Sequence, residues 1–153
     1  MRTWTATTTV DASPEAVLDA LCDPEACARW APVRFEVRDL RARRLHAGAR
    51  ARVAGRLAGR EVGFDVDVHE AGRRRLALTA TGPVGFDVAY DVAPAAAGTE
   101  VRAAVSVRPA GGLLGRVAAH ATTALLAAGA LDDAVARLGR EAVTTTRSRK
   151  DHA

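Results

Sequence analysis

Four histidines, two cysteines and one tyrosine are the side chains of this 153-residue chain best suited to proton transfer or nucleophilic attack. General acid–base catalysis needs such groups within hydrogen-bonding reach of the same substrate. His152 lies in the C-terminal tail and His46 in a turn, which leaves two histidines to weigh. His69 shares a strand face with Asp65 and Asp67, where alternation puts charge in water, so a surface ion pair is expected there. His120 sits one position off the centre of an apolar helical stripe, at helical spacing from Leu113, Val117, Ala124 and Leu131. From there it either tips into a cavity edge or rests on an exposed helix flank. Tyr90 falls on one strand face with Phe86, Val88 and Val92. A buried phenol needs a hydrogen-bond partner, and a ligand carbonyl or hydroxyl serves as well as a neighbouring protein group. Tyr90 and His120 are therefore the candidate catalytic residues, with Thr8 a further polar residue facing inward.

Cys22 and Cys27 are five apart with no companion pair. That spacing fits neither a zinc site nor a redox Cys-x-x-Cys, and no histidine is predictably beside either thiol. Free thiols in a reducing cytoplasm are the expectation. No His-x-His or His-Glu-x-x-His pattern occurs, and Gly111-Gly112 follows an antiparallel strand, not a βαβ phosphate loop. Neither a metal nor any other cofactor is expected.

These residues must be positioned by elements that the pattern makes plain. Arg2 to Val10 is Thr-rich and alternating, hence a strand, with Trp4, Ala6, Thr8 and Val10 on one face. Ser13-Pro14-Glu15 opens a short helix, with Ser13 as N-cap and Pro14 at the first helical position. A second short helix runs from about Pro24 to Trp30, before Pro32. From Val33 to Arg108 the period is two, in six strands separated at Gly48, Gly59, Gly72, Gly82-Pro83 and Gly98. Short turns make those strands antiparallel neighbours, and the charged residues on one face give the sheet a wet side. After Gly111-Gly112 a helical stripe of Leu114, Val117, Ala121, Leu125, Ala128, Leu131, Val135 and Leu138 predicts one long helix, with Gly129 a candidate bend. The chain is too short on apolar residues elsewhere to cover the sheet, so this helix must do it. The expected architecture is an α+β helix-grip fold: a seven-stranded curved antiparallel sheet, two short helices after the first strand, and a long C-terminal helix over the sheet. The domain is placed at residues 1–145, with a polar, disordered tail at 146–153.

Small inward residues, Ala51, Gly55, Ala80 and Ala103, favour open space between sheet and helix. The ligand-facing wall is then predicted to comprise Trp30, Phe35, Val53, Phe64, Leu78, Phe86, Val88, Val105, Val117, Ala121 and Leu125. So apolar a wall holds a small hydrophobic molecule, and any catalysis there must come mostly from orientation. The net charge of +4 includes clusters at Arg41/Arg43/Arg44, Arg73/Arg74/Arg75 and Arg147/Arg149/Lys150. Aromatic residues that would stack bases are missing beside them, so solvated turns, and no nucleic-acid partner, are expected. No apolar run reaches the roughly 18 residues of a membrane span, and Met1-Arg2-Thr3 leads directly into a strand, so a cytoplasmic protein without stable membrane insertion is expected. A homodimer through the first strand or the long helix stays open.

Ala12-Ser13-Pro14-Glu15-Ala16-Val17, followed by Asp23-Pro24-Glu25 and Arg29-Trp30, resembles the START and birch-pollen-allergen superfamily, most closely its bacterial polyketide cyclase/dehydrase branch. The element order is similar along essentially the whole chain, while the specific motif is confined to residues 12–30. The resemblance implies a ligand cavity between sheet and long helix, with Trp30 helping to wall its entrance. It implies fold and ligand class more than chemistry. Three functions are carried forward: a cyclase/aromatase-like enzyme or accessory protein, a non-catalytic carrier or sensor of a lipid or quinone, and an interaction domain whose arginines bind an acidic partner.

Overall fold

A computed structural model describes residues 2–30, 35–39, 45–57, 60–108 and 112–151. The chain runs β1 (Arg2–Val10), α1 (Pro14–Cys22), α2 (Pro24–Trp30), β2 (Phe35–Asp39), β3 (Arg50–Leu57), β4 (Arg60–Ala71), β5 (Arg75–Thr81), β6 (Gly85–Ala95), β7 (Gly98–Arg108), α3 (Gly112–Ala127) and α4 (Ala130–Asp151). The strands form one antiparallel sheet in the order β1-β7-β6-β5-β4-β3-β2. The chain therefore starts at one edge, crosses to the other through α1 and α2, and returns strand by strand until β7 pairs with β1 from Arg2↔Val107 to Val10↔Thr99. Register shifts at Val37/Asp39 and Val68/Glu70 mark bulges, which bend strands and help curve the sheet. This is the helix-grip architecture expected from the pattern.

Local chemistry explains the junctions. The Ser13 hydroxyl accepts the Ala16 amide at 3.2 Å and Pro14 fills the first turn, so α1 begins there and buries Val17, Leu18 and Leu21. Gly98 holds φ at +127°, and a Cβ there would run into the Val10 carbonyl oxygen, so only glycine lets the β6–β7 turn close against the end of β1.

The C-terminal helix is interrupted where glycine was expected to bend it. Gly129 takes φ +93° and its amide donates to the Leu126 carbonyl at 3.1 Å, ending α3 before α4 begins at Ala130. α4 buries Leu131, Ala134, Val135, Leu138 and Ala142, as its stripe requires. It also passes close to β1, where Gly139 leaves a Cβ position only 3.3 Å from Val10 Cγ2. The helix continues to Asp151 without a break at Thr144, because each residue added to a formed helix gains a backbone hydrogen bond.

α3 corrects the predicted stripe. Its buried side chains are Ala118, Thr122 and Leu126, while Leu113, Val117 and Leu125 are 79%, 46% and 41% exposed. Small residues on the inner side let the helix approach the sheet, and apolar residues all round leave periodicity unable to select a face. The Leu114 side chain lies outside the described residues.

The core fills the space between the concave face and α1, α2 and α4. On the other face Arg50–Asp67 (3.1 Å), Arg75–Asp91 (3.3 Å) and Arg108–Asp87 (3.1 Å) form exposed cross-strand pairs, each worth little individually. His69 joins this face, but its Nε2 meets Thr79 Oγ1 at 2.6 Å, not an aspartate. It is the extra residue of the β4 bulge, displaced from the register that Asp65 and Asp67 keep. Arg73 and Arg74 are exposed at a turn, and Arg75 is ion-paired. The Arg41/Arg43/Arg44 cluster lies outside the described residues, as do His152 and the side chains of Arg147, Arg149 and Lys150. Among the described residues no helix is long and apolar enough to cross a membrane.

Candidate functional site

Alternation along β3 to β7 points one residue in two toward the helices. Those residues do not meet the helices everywhere. A cavity of about 200 Å³ remains, bordered on the sheet side by Ala51, Val53 and Gly55 of β3, Phe64 and Val66 of β4, Leu76, Leu78 and Ala80 of β5, Phe86, Val88 and Tyr90 of β6, and Val105 of β7. Pro24, Cys27 and Trp30 of α2, Phe35, Leu45, Thr122, Leu125, Leu126 and Ala130 complete it. The reason for the space is visible in the composition: Ala51, Gly55 and Ala80 stand where larger side chains would reach α3. Ala103, the fourth small inward residue, pairs with Tyr90 and is packed away from the cavity.

Most of the predicted wall is assembled. Trp30, Phe35, Val53, Phe64, Leu78, Phe86, Val88, Val105, Leu125 and Tyr90 all border the cavity. Val117, Ala121 and His120 do not, because α3 is rotated from its predicted phase, and His120 is exposed on it. Thr8 also lies away from the cavity, in a shallower cleft between β1 and α4. Trp30 borders the cavity and is 4% exposed. Leu125, which is both exposed and lining, marks where the cavity meets solvent.

The polar groups on the wall are few, and all but one are turned to the backbone. Trp30 Nε1–H donates to the Ala20 carbonyl at 3.0 Å, Cys27 Sγ–H to Leu21 at 3.0 Å, and Thr122 Oγ1–H to Ala118 at 2.9 Å. Tyr90 is 2% exposed, and among the described residues its hydroxyl has no hydrogen-bond partner. The Trp30 ring packs on its ring edge-on, 5.2 Å between centroids at 80°. Burial drives the Tyr90 phenol well above its ordinary pKa; nearby Cys27 adds to this and Arg137 opposes it. Tyr90 is thus a neutral donor at physiological pH. Burial likewise raises the Cys27 thiol, with Cys22 and Asp23 adding to it, so this sulfur is protonated and not a ready nucleophile.

Cys27, Thr122 and Leu126 are lining residues that the pattern did not single out. The signal for the last two was present but weak: Ala118, Thr122 and Leu126 also recur every fourth residue, with less hydrophobic weight than Val117, Ala121 and Leu125. Cys27 could be placed only once the inward side of a seven-residue helix was known. Both cysteines are free and buried. Among the described residues no three His, Cys, Asp or Glu side chains converge as a metal site would require.

Several solved structures share this fold. CV1439 from Chromobacterium violaceum is 20% identical, with a TM-score of 0.64 over 89% of this chain and 96% of its own. NE0264 from Nitrosomonas europaea is 14% identical, with a TM-score of 0.67 over 95% and 96%. DynU16, from the dynemicin biosynthetic locus, is 22% identical with a TM-score of 0.58; 90% of this chain matches 46% of that one. At such identities the likeness is one of fold. No curated protein matches the sequence. The sequence itself, however, matches the family described as "Polyketide cyclase / dehydrase and lipid transport" over residues 1–143. With the helix-grip sheet, the interrupted C-terminal helix and the apolar cavity between them, that match makes this chain a member of the polyketide cyclase/dehydrase and lipid-transport family.

Proposed function

We propose that the chain binds a small hydrophobic metabolite in the cavity and acts on it in the manner of a polyketide cyclase or aromatase. The observation that carries this reading is Tyr90, a buried residue on an otherwise apolar wall whose hydroxyl has no hydrogen-bond partner among the described residues. A neutral phenol placed there donates to one carbonyl oxygen, orients it and stabilises negative charge developing on it. The wall then selects the folded conformer of the substrate, which is where most of the rate gain arises. His120, exposed on α3, takes no part as proton shuttle. The family match to polyketide cyclases and dehydrases supports the same substrate class.

A second reading, a non-catalytic carrier, is favoured by one specific feature. No histidine or carboxylate is among the described lining residues, so nothing there serves as general base. Native mass spectrometry of freshly purified protein, followed by extraction and incubation with candidate polyketones, separates the two. Turnover that falls in Tyr90→Phe while the fold persists supports the enzyme. Retention of a ligand without conversion supports the carrier, and wild-type turnover in Tyr90→Phe removes Tyr90 from the mechanism.

A further inference from the structure

Size, charge and donor count at the cavity together define a ligand class narrower than "hydrophobic". An apolar cavity of about 150 Å³ accepts benzene, so about 200 Å³ suits one further fused ring. None of the described lining residues is Lys, Arg, His, Asp or Glu. The cation that bears on Tyr90 is Arg137, which is not among the described lining residues and whose Nε donates toward the Trp30 carbonyl at 3.4 Å. An ionised carboxylate entering this space would lose its water without gaining a cationic partner among the described lining residues, the Tyr90 hydroxyl offering it a single hydrogen bond. Trp30, Cys27 and Thr122 have already committed their protons to backbone carbonyls, which leaves the Tyr90 O–H as the one uncommitted side-chain donor among the described lining residues.

We infer that the cavity takes an uncharged, two-ring-sized molecule carrying one hydrogen-bond acceptor, such as a ketone, ester, lactone or quinone, and rejects carboxylates of the same outline. This rests on the ligand-binding reading above. It adds that a free acid is neither substrate nor cargo, so a natural ligand reaches the protein with any carboxyl group esterified, thioesterified or lost.

Three naphthalenes of matched outline test it by titration calorimetry at neutral pH against wild type and Tyr90→Phe: 2-acetylnaphthalene, 2-ethylnaphthalene and 2-naphthoate. A neutral hydrogen bond is worth about 3- to 10-fold in affinity, so the ketone should exceed the ethyl compound by that factor in wild type. Tyr90→Phe should remove the difference by weakening the ketone alone; undiminished binding of the ethyl compound shows that the variant is folded. Naphthoate should bind at least ~100-fold more weakly than the ketone in both proteins, the expected cost of burying an unpaired charge. Naphthoate binding within about 10-fold of the ketone, or equal loss of ketone and ethyl compound in Tyr90→Phe, overturns the inference while the ligand-binding reading stands. Failure of all three to bind overturns both.

Discussion

Ala80 offers a test in which stability and binding should move in opposite directions. It lies on β5 opposite Val66 and Phe86, is 9% exposed, and borders the cavity. Ala80→Ile adds three carbons pointing into that space, and isoleucine suits a strand. At about 0.8 kcal/mol per buried methylene the gain approaches 2.4 kcal/mol. Ordering the side chain costs roughly 0.5–1 kcal/mol, leaving about 1.5 kcal/mol of net stabilisation by these same transfer and entropy scales. For a domain of this length that raises Tm by roughly 3–6 °C, measured by thermal unfolding followed by circular dichroism. The same carbons occupy the room a two-ring ligand needs, so its affinity should fall at least ~10-fold in calorimetry. A fall in Tm would mean overpacking, and hence that the space is not open. Unchanged ligand affinity would place the ligand elsewhere on the molecule. Either result refutes the cavity argument.

Two further predictions concern the buried thiol and phenol and the left-handed glycines. Cys27 and Tyr90 both have folded-state pKa values raised above the ordinary 9.0 and 10.0, so the stability they contribute is fully present below those values and is lost as the unfolded chain ionises at higher pH. Urea unfolding should show the free energy declining above about pH 9, by up to ~1.4 kcal/mol per pH unit per group, with a shallower slope in Cys27→Ala; an identical slope in that variant excludes the thiol. Gly129→Ala should cost only about 1–2 kcal/mol, because the φ of +93° is strained for alanine while its Cβ meets nothing within 4 Å. Gly98→Ala should cost clearly more, since a backbone collision with Val10 adds to the strained φ, and comparable Tm losses for the two would contradict the turn packing described.

The strands show how far the sequence can be read. Alternation in Val62-Gly63-Phe64-Asp65-Val66 and Phe86-Asp87-Val88-Ala89-Tyr90 assigns each side chain to one face without ambiguity, and the β3 to β7 residues predicted for the cavity wall are all found on it. A period of two tolerates no intermediate phase, so a strand with one wet face declares its register. α3 shows where reading stops. Its Ala-rich surface is weakly polar on every side, and the face turned inward carries Ala118, Thr122 and Leu126 in place of the larger Val117. The bulge at His69 is likewise silent in the pattern, and it exchanges an expected aspartate for Thr79.

The order of the strands and the two short helices, the N-cap at Ser13, the position at Gly129 where the C-terminal helical stretch departs from a straight course, and the apolar character of the inner wall were therefore determined by sequence alone, because each depends on residues adjacent or periodic along the chain. That Gly129 breaks the stretch into two helices was not. The rotation of α3, the volume left beneath it, and the difference between Tyr90 and its polar neighbours were decided by tertiary structure. Cys27, Trp30 and Thr122 each find a carbonyl on their own helix or the one before it. Tyr90 stands on a central strand and borders the cavity, and no carbonyl among the described residues accepts from its hydroxyl. Hydrogen-bond satisfaction is a property of the assembled interior, and no spacing along the chain encodes which donor remains free.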